Sequence, residues 1–390
     1  MIQQSAVRSR SFAKRAVGRG SPIRKMDGLM LLAIAALSVI GTLLVWSSTR
    51  SWMSVQPTAL AKKHVLNILI GVALLGAVAM IDYRRLRTAA PVVFGAALIG
   101  LLLVITPMGA TINGHHSWIT LGGGFAVQPA ELAKPALVLI LARSLAKPAE
   151  RTGRPRLISV ALCLAATGIT TMLVMLEPDL GTTMVLLVIT GGTLILAGLR
   201  KRWVALFLLL GGAAAAAVWS LGLLKPYQVA RFTALINPAS DPRGVGYNST
   251  QALVAIGSGE LFGKGLFHGG QTTGRFVPEQ HTDFIFTVAG EELGFVGSVS
   301  VVLLLGVVLL RAVRIARQCD DRFGSLIAGG IVCWFAFQSF VNVGMTIGIM
   351  PITGIPLPFV SYGGTAMFAN MMAVGMLQAI RIRAYDRRSV

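Results

Sequence analysis

The chain has 390 residues, of which 54% are apolar and 13% charged, and its mean hydropathy is +0.73. Soluble globular proteins carry about 25% charged residues, so this composition excludes an ordinary water-facing surface, and it is too apolar for a disordered chain. The formal net charge of +20 lies almost wholly between long apolar runs, which is typical of membrane topology rather than of nucleic-acid binding. We therefore expect a polytopic integral membrane protein with no nucleic-acid partner.

Ten apolar runs are long enough to cross about 30 Å of hydrocarbon as helices. Because a backbone in lipid must satisfy its own hydrogen bonds, the sequence predicts an all-α fold with about ten transmembrane helices. The predicted spans are 28–46, 65–82, 91–106, 129–146, 157–176, 180–199, 204–223, 284–310, 325–349 and 364–382.

Lys and Arg residues are distributed unevenly between the two sets of connections. The set that includes both termini holds 25 of them, and the alternate set holds 8. Cytoplasmic loops carry an excess of Lys and Arg, so both termini are predicted to be cytoplasmic. Residues 1–27 are predicted to form a disordered basic tail, which either contacts anionic membrane lipids or only sets the topology. Residues 384–390 are predicted to form a second cytoplasmic tail.

Two predicted outward segments, 107–128 and 225–283, are too long to be simple connections. The second has 59 residues and is rich in glycine and polar groups. Loops of this length in a compact protein are usually functional. The outer face is therefore the predicted location of the activity.

Glu131 and Lys134 stand at the outer entrance of the fourth predicted span. Residues at positions i and i+3 share one helix face and can pair. Ionisable groups at membrane depth are costly to keep. The pair therefore either fixes helix packing or lines a substrate cavity, and the sequence leaves both alternatives open.

Two further acidic pairs follow along the chain. Glu177 and Asp179 occupy a very short outward turn before the sixth span, where Asp179 suits a helix N-cap. Glu291 and Glu292 lie about two turns into the eighth span. They could pair with Lys134 or with basic residues of the long loop.

The segment 275–283 directly precedes the eighth span and contains Arg275, Glu279, His281 and Asp283. Asp283 is therefore placed at the outer boundary of the membrane. A carboxylate beside an apolar run is desolvated on one side, which raises its pKa toward the range of a general base. Asp283 is a candidate base, and a helix N-cap is its alternative role.

Several familiar catalytic patterns are absent from the sequence. The segment 259–265 resembles a phosphate-binding loop, but Ser258 replaces the first glycine and Gly265 replaces the Ser or Thr. No Cys and His spacing fits zinc, and no Gly-x-Ser-x-Gly nucleophile motif occurs. ATP-driven pumping and serine hydrolysis are therefore disfavoured.

Six segments together carry a resemblance to a known family: 128–134, 177–182, 231–247, 251–265, 279–294 and 342–364. In these segments the sequence resembles the SEDS family (shape, elongation, division and sporulation) of membrane peptidoglycan glycosyltransferases, of the RodA and FtsW kind. The resemblance covers about residues 28–383, which it implies to be one transmembrane domain with a large outward loop at 225–283. The family's usual Arg-Trp pair is Ser117-Trp118 in this chain.

The resemblance implies the reaction and its location. The family polymerises lipid II, an undecaprenyl-diphosphate-linked disaccharide pentapeptide, into glycan strands at the outer face of the bacterial cytoplasmic membrane. By motif, Asp283 is the essential acidic residue, and Glu131 and Lys134 line a central cavity. The segment 256–267 is more similar to the elongation (RodA-like) branch, which serves cell shape, than to the division (FtsW-like) branch, which remains the alternative.

The resemblance also implies a partner, a class B penicillin-binding protein that cross-links the new strand. Its single helix is expected to pack near the eighth and ninth spans.

The chemistry of this reaction requires few groups. An α-linked donor and a β-linked product require inversion at the anomeric carbon, so one displacement with one general base suffices, and we assign that base to Asp283. The diphosphate leaving group needs positive charge, which Lys134, Arg231, Lys264, Arg275 or a bound Mg²⁺ would supply. The predicted substrate-binding residues are Glu131, Lys134, Arg231, Lys264, Arg275, Glu279 and His281.

Mg²⁺ prefers hard oxygen ligands, and Asp283 and Glu279 are the candidates to bind it. No organic cofactor is expected.

Two other classes of function compete with a transferase. A lipid II flippase is favoured by charges at membrane depth, of which Glu131 and Lys134 are an example. A scaffold for the elongation or division machinery is the third alternative, but it leaves Asp283 and the long loop unexplained.

Overall fold

The computed structural model describes residues 22–51, 56–112, 115–122, 125–152, 155–222, 226–238, 241 and 244–388. Most of the predicted basic tail therefore lies outside the described residues. The helices are α1 (Pro22–Lys25), α2 (Gly28–Arg50), α3 (Ala59–Met80), α4 (Tyr83–Ile105), α5 (Pro129–Thr152), α6 (Leu157–Leu176), α7 (Leu180–Leu196), α8 (Lys201–Ser220), α9 (Pro226–Ile236), α10 (Val245–Ser258), α11 (Gly270–Gly274), α12 (Ile285–Gln318), α13 (Arg322–Thr346) and α14 (Gly364–Arg388).

Within this described part of the chain, a long helix occupies each predicted span. Eight of these helices are long and apolar enough to cross a membrane by length and composition. The other two are α7, which is apolar but has only 17 residues, and α5, which carries several charged residues. The helical membrane fold is confirmed, and the count of ten spans stays a prediction.

Several helices extend beyond the apolar runs that predicted them. Helix α3 begins at Ala59 and α4 at Tyr83, where the Asp82 side chain accepts a hydrogen bond from the Arg84 amide at 3.0 Å. Helix α14 continues to Arg388 through most of the predicted tail 384–390. Hydropathy marks only the part of a helix that lies in hydrocarbon, whereas the backbone ladder continues through the polar boundary.

A small antiparallel sheet forms in the outward segment 107–128, which the sequence analysis did not predict. Its strands are β1 (Gly109–Ile112), β2 (His115–Gly122) and β3 (Phe125–Val127), with β2 in the middle. The strands are short, and the burial of β1 does not alternate between its two faces. The period-2 signal of a half-buried strand is therefore missing from the sequence.

The core of the bundle lies between α5, α13 and α14, and the largest buried side chains include Trp334, Phe335 and Leu137. Large apolar side chains such as Leu32, Val92 and Leu303 are exposed on the outside of the bundle. Apolar surface on this scale is what contact with lipid requires.

The long loop is anchored to a kink in α12. Gly294 has a φ of 67° within this helix, a conformation that glycine adopts at little cost. The kink exposes backbone groups that the segment 259–265 satisfies: the amides of Lys264 and Gly265 donate to the carbonyl oxygens of Glu291 and Glu292. The segment that resembles a phosphate loop is therefore a docking element between the loop and α12.

Glu291 adds side-chain contacts to this anchor. Its carboxylate accepts hydrogen bonds from the amides of Gln271 and Thr272 at 2.8 Å each, and Lys264 Nζ lies 3.5 Å from its Oε1. The predicted pairing of Glu291 with a basic residue of the long loop is confirmed. Glu292 accepts a hydrogen bond from Ser47 of α2 instead. These contacts fix the loop against the helix that begins just after Asp283.

Asp27 ties three helices together at the opposite end of the bundle. Its fully buried carboxylate caps α2 through the Met30 amide and pairs with Arg311 of α12 at 2.7 Å and with Arg381 of α14 at 2.9 Å. Burial raises the pKa of Asp27, but the hydrogen bonds from Arg311 and Met30 and the charges of both arginines outweigh burial and lower it.

We expect Asp27→Asn to destabilise the protein by about 1.5–3 kcal/mol, the typical contribution of a hydrogen bond to a charged group. Asn can still accept the N-cap hydrogen bond, so the measured loss of stability reports on the ion pairs alone. Because the folded-state pKa is lowered, this stability is present at neutral pH and is lost as the pH falls through the folded-state value. Thermal denaturation in detergent measures both effects.

The matched control is Asp82→Asn, whose ion pair with Arg383 is longer at 3.7 Å and about one third exposed. It also keeps an N-cap, and it should change the melting temperature less. Equal shifts for the two variants would contradict the prediction.

Candidate active site

A cavity of about 400 Å³ lies where the small sheet, the long loop and the segment 351–363 meet. Its walls come from parts of the chain that are distant in sequence. The polar side chains that line it are Ser117, Gln128, Glu131, Glu177, Asp179, Arg231, Asn248, Glu279, Thr282, Asp283, Thr353 and Tyr362.

Asp283 is held at this cavity by backbone contacts. Its amide lies 3.2 Å from the carbonyl oxygen of Glu279. The buried side chain of Asn342 donates to the Asp283 carbonyl oxygen at 2.8 Å and to the Ile355 carbonyl oxygen at 2.7 Å. One amide on α13 therefore joins the backbone at Asp283 to the segment 351–363. The N-cap alternative for Asp283 is wrong, because Phe284 occupies the N-cap position of α12.

The surroundings of Asp283 disfavour its ionised form. Burial raises the pKa of Asp283 to about 7, and the negative charges of Glu279 and Asp179 act in the same direction, while Arg231 opposes them. This shift agrees with the expectation from its place at the end of an apolar run. A pKa near neutrality suits a general base.

Gly354 lies directly against the Asp283 carboxylate. Its φ of 75° is in the left-handed region, and a Cβ atom at this position would lie 3.3 Å from Asp283 Oδ2. Glycine is therefore required here both for its backbone conformation and for the space that it leaves.

Asp283 is the predicted general base, and a small displacement of a catalytic group is costly. We therefore expect Gly354→Ala to lower the catalytic rate by about tenfold or more. A rate assay beside a melting curve checks this. Gly257→Ala is the control, since its Cβ would meet no atom within 4 Å. A wild-type rate for Gly354→Ala would show that Asp283 tolerates displacement.

Glu131 and Lys134 form the predicted ion pair, with 2.7 Å between Lys134 Nζ and Glu131 Oε1. Lys134 is fully buried, lies 3.3 Å from Gln338 Oε1 and 5.3 Å from the ring centre of Trp334. Glu131 lines the cavity that contains Asp283, and its Oε2 atom has no hydrogen-bond partner. The pair therefore packs within the bundle and also reaches the cavity, so both alternatives from the sequence remain open.

The turn between α6 and α7 supplies two carboxyl groups to the cavity. Asp179 Oδ1 accepts a hydrogen bond from the Thr182 amide at 2.8 Å, which confirms the predicted N-cap of α7. Glu177 is only 2% exposed, and neither of its carboxyl oxygens has a hydrogen-bond partner. Burial and then the charge of Asp179 raise the pKa of Glu177 to about 8.

Sequence reasoning assigned no function to Glu177. The signal available in the sequence was its place in a two-helix turn that faces the same side as Asp283. The turn alone does not reveal that Ser117, from the small sheet, lies against it: Ser117 Oγ is 3.4 Å from the Glu177 carbonyl oxygen.

The remaining predicted residues separate into two groups. Arg231 of α9 and Glu279 line the cavity with Asp283, and the His281 carbonyl oxygen accepts a hydrogen bond from the amide of Tyr362, another lining residue. Burial lowers the pKa of His281, an effect that the charge of Glu279 opposes and that of Arg275 reinforces.

The structure does not bring Lys264 and Arg275 into the wall of this cavity. Lys264 pairs with Glu291, and Arg275 follows α11 as its C-cap. The substrate-binding roles of both residues stay predictions.

The predicted divalent metal can be tested against the arrangement of side chains. Across the described residues, no three His, Cys, Asp or Glu side chains gather closely enough to hold a metal ion. Asp283 and Glu279 line the same cavity without forming such a group. The residues present therefore do not fit a metal centre held by the protein alone, and Mg²⁺ binding by these two carboxylates stays a prediction.

The fold and the cavity define a helical membrane protein with an acidic pocket at one end of its bundle. The family model described as "Cell cycle protein", which covers FtsW, RodA and SpoVE, matches residues 28–386. The chain belongs to this FtsW/RodA/SpoVE family.

Individual relatives agree with this assignment. The chain is 36% identical to the peptidoglycan glycosyltransferase MrdB of Escherichia coli K12, over 91% of this chain and 93% of that protein. It is also 36% identical to stage V sporulation protein E of Bacillus subtilis, over 93% and 98% of the two chains. A chain of a solved structure that concerns polymerisation and crosslinking by a peptidoglycan synthase complex superimposes with a TM-score of 0.78 at 31% identity, over 92% and 98% of the two chains.

Proposed function

We propose that this protein is a peptidoglycan glycosyltransferase that polymerises lipid II into glycan strands at the outer face of the bacterial cytoplasmic membrane. The proposal depends on Asp283, which lines the polar cavity. The pKa of its carboxyl group is raised to about 7. The name of MrdB supports the reaction class. The positive-inside distribution of Lys and Arg supports cytoplasmic termini.

Asp283 acts as the general base in a single displacement. Its carboxylate accepts the proton of the acceptor sugar's 4-hydroxyl while that oxygen forms a bond to the anomeric carbon of the donor. The bond from this carbon to the diphosphate oxygen breaks, and the configuration inverts. The raised pKa of Asp283 gives the base enough proton affinity to assist the attack at neutral pH.

Arg231 is the group best placed to stabilise the leaving diphosphate. It lines the cavity, and its charge acts on Asp283. A fixed positive charge in a site shielded from water stabilises the developing oxyanion more strongly than the same charge does in water. Lys264 and Arg275 would bind the substrate along the long loop rather than at the reacting bond.

The elongation branch is the better assignment for this chain. The segment 256–267 supports it, because this segment resembles the RodA-like members. The chain is 36% identical both to MrdB of Escherichia coli and to a probable peptidoglycan glycosyltransferase FtsW of Shewanella sediminis, so overall identity does not decide between the branches. A class B penicillin-binding protein is the proposed partner, with α12 and α13 as its docking helices. The match to a chain from a synthase-complex structure supports such an assembly.

Reconstitution tests the proposal directly. The purified protein and its cognate class B penicillin-binding protein are incubated with labelled lipid II, and the products are separated by gel electrophoresis. We expect glycan polymers that are absent when the partner is supplied alone. If no polymer forms while labelled lipid II crosses the bilayer of vesicles that contain the protein, the flippase alternative replaces the transferase. If neither activity is present, the scaffold alternative gains support.

A further inference from the structure

Glu177 lies on the wall of the cavity, and the mechanism proposed above does not use its buried carboxyl group. Both of its carboxyl oxygens are shielded and have no hydrogen-bond partner, although the residue lines the same cavity as Asp283. Its neighbour Asp179 is occupied as the N-cap of α7. Buried polar groups are normally hydrogen-bonded, so a carboxyl group without a partner at a cavity points to a partner that arrives with the ligand.

The charges around Glu177 determine the form in which it can act. The charged and titratable side chains that line the cavity with it are Glu131, Asp179, Arg231, Glu279, Asp283 and Tyr362. Of the carboxylates, Glu131 is paired with Lys134, and Arg231 is the single Lys or Arg among the described lining residues. Carboxylates crowded in one site cannot all ionise at neutral pH. Among these carboxyl groups, Glu177 has the least compensation for the cost of carrying a buried negative charge, because it combines near-complete burial with no hydrogen bond.

We propose that Glu177 is a substrate-binding residue that works in its neutral form, donating a hydrogen bond from its carboxyl O–H to an anionic oxygen of the substrate's diphosphate. The proposal rests on the function proposed above. A hydrogen bond from O–H to an anionic oxygen is short and strong. A neutral carboxyl also avoids the repulsion that another carboxylate would impose on the diphosphate.

Two substitutions separate a neutral donor from an ionised carboxylate. Glu177→Gln keeps a donor of the same size, and Glu177→Leu removes it. The probe is undecaprenyl diphosphate, the reaction product, whose binding is measured both by product inhibition and by direct titration of the purified complex. We expect Glu177→Leu to weaken its binding about tenfold or more, the equivalent of one hydrogen bond to a charged group, and Glu177→Gln to stay within a few-fold of wild type.

The pH dependence of the polymerisation rate is a second test of the proposal. The wild-type rate should decline above about pH 8, as Glu177 loses its proton, and Glu177→Gln should lack this decline. Asp320→Asn removes an exposed carboxyl group at the other end of α12 and should leave both profiles unchanged. Undecaprenol, which lacks the diphosphate, should bind wild type and Glu177→Leu equally.

Three results would overturn the proposal. Glu177→Gln that folds but binds as weakly as Glu177→Leu would mean that the ionised carboxylate is needed. Wild-type binding by Glu177→Leu would mean that no contact exists. A Glu177→Gln profile that keeps the alkaline decline would assign that decline to another group. Failure of the proposed function looks different: the wild type would form no polymer, while the direct titration would still report on Glu177.

Discussion

Asp283→Asn is expected to lower the polymerisation rate by about 10²–10⁴-fold, the usual contribution of a positioned general base. Asn is isosteric with Asp and neutral, so it keeps the shape of the cavity but cannot accept the proton of the acceptor hydroxyl. The measurement is polymer formation from labelled lipid II, with Asp320→Asn as a control for the loss of a carboxyl group elsewhere in the chain.

The pH dependence of the wild-type enzyme follows from the same group. Because the proposed general base Asp283 must be ionised to accept a proton, the rate should rise with pH through about 7, where its pKa lies. Glu279→Gln removes a negative charge that raises this pKa, so the rising limb should move to lower pH. Arg231→Gln removes a positive charge that lowers it, so the limb should move to higher pH. Shifts in the same direction would contradict the assignment of this limb to Asp283.

Stability provides the control for folding. The folded-state pKa of Asp283 is raised above its ordinary value of 3.8, so the folded protein loses stability as the pH rises from about 4 to about 7. Asp283→Asn removes this cost. At pH 8 the inactive variant should therefore melt at the same temperature as the wild type or at a higher one. A lower melting temperature would mean that lost activity reflects a damaged fold.

The membrane helices and the site differ in how far the sequence predicts them. The spans follow from composition alone, because hydrocarbon accepts only long apolar helices with satisfied backbones. The raised pKa of Asp283 is also predictable, since a carboxyl group at the end of such a run is desolvated on one side. Glu177 is not, because the fold brings it to the cavity together with Ser117, which lies far away in sequence.

The basic residues of the long loop show the same limit of prediction from sequence. Lys264 and Arg231 are both basic residues of one polar loop, and the sequence treats them alike. In the structure, Lys264 contacts Glu291 at the kink of α12, whereas Arg231 lines the cavity. The segment of Lys264 docks on the backbone around the kink at Gly294, and a glycine within an apolar run carries no sequence signal that distinguishes a kink from close packing.

Lys134→Met is expected to have the largest effect on stability. The substitution leaves Glu131 as a buried charge without its partner, because Lys134 Nζ lies 2.7 Å from Glu131 Oε1 in the bundle. Breaking a buried ion pair in this way costs about 3–5 kcal/mol. Thermal denaturation of the purified protein measures the loss. Arg143→Met is the control: it removes a charge from the same helix whose partner is the Arg87 backbone carbonyl oxygen, and it should cost less.

The double variant Glu131→Gln/Lys134→Met separates the two roles that the sequence leaves open for this pair. It contains no unpaired charge, so most of the lost stability should return. If the pair serves packing alone, the polymerisation rate should return with it. We expect the rate to stay about tenfold or more below wild type. Glu131 lines the cavity, and Gln338, which contacts Lys134, also donates to the carbonyl oxygen of the lining residue Pro356 at 2.8 Å. Removing the pair therefore changes the cavity wall even when the stability of the fold recovers. Full recovery of both stability and rate would contradict this expectation and assign the pair to helix packing.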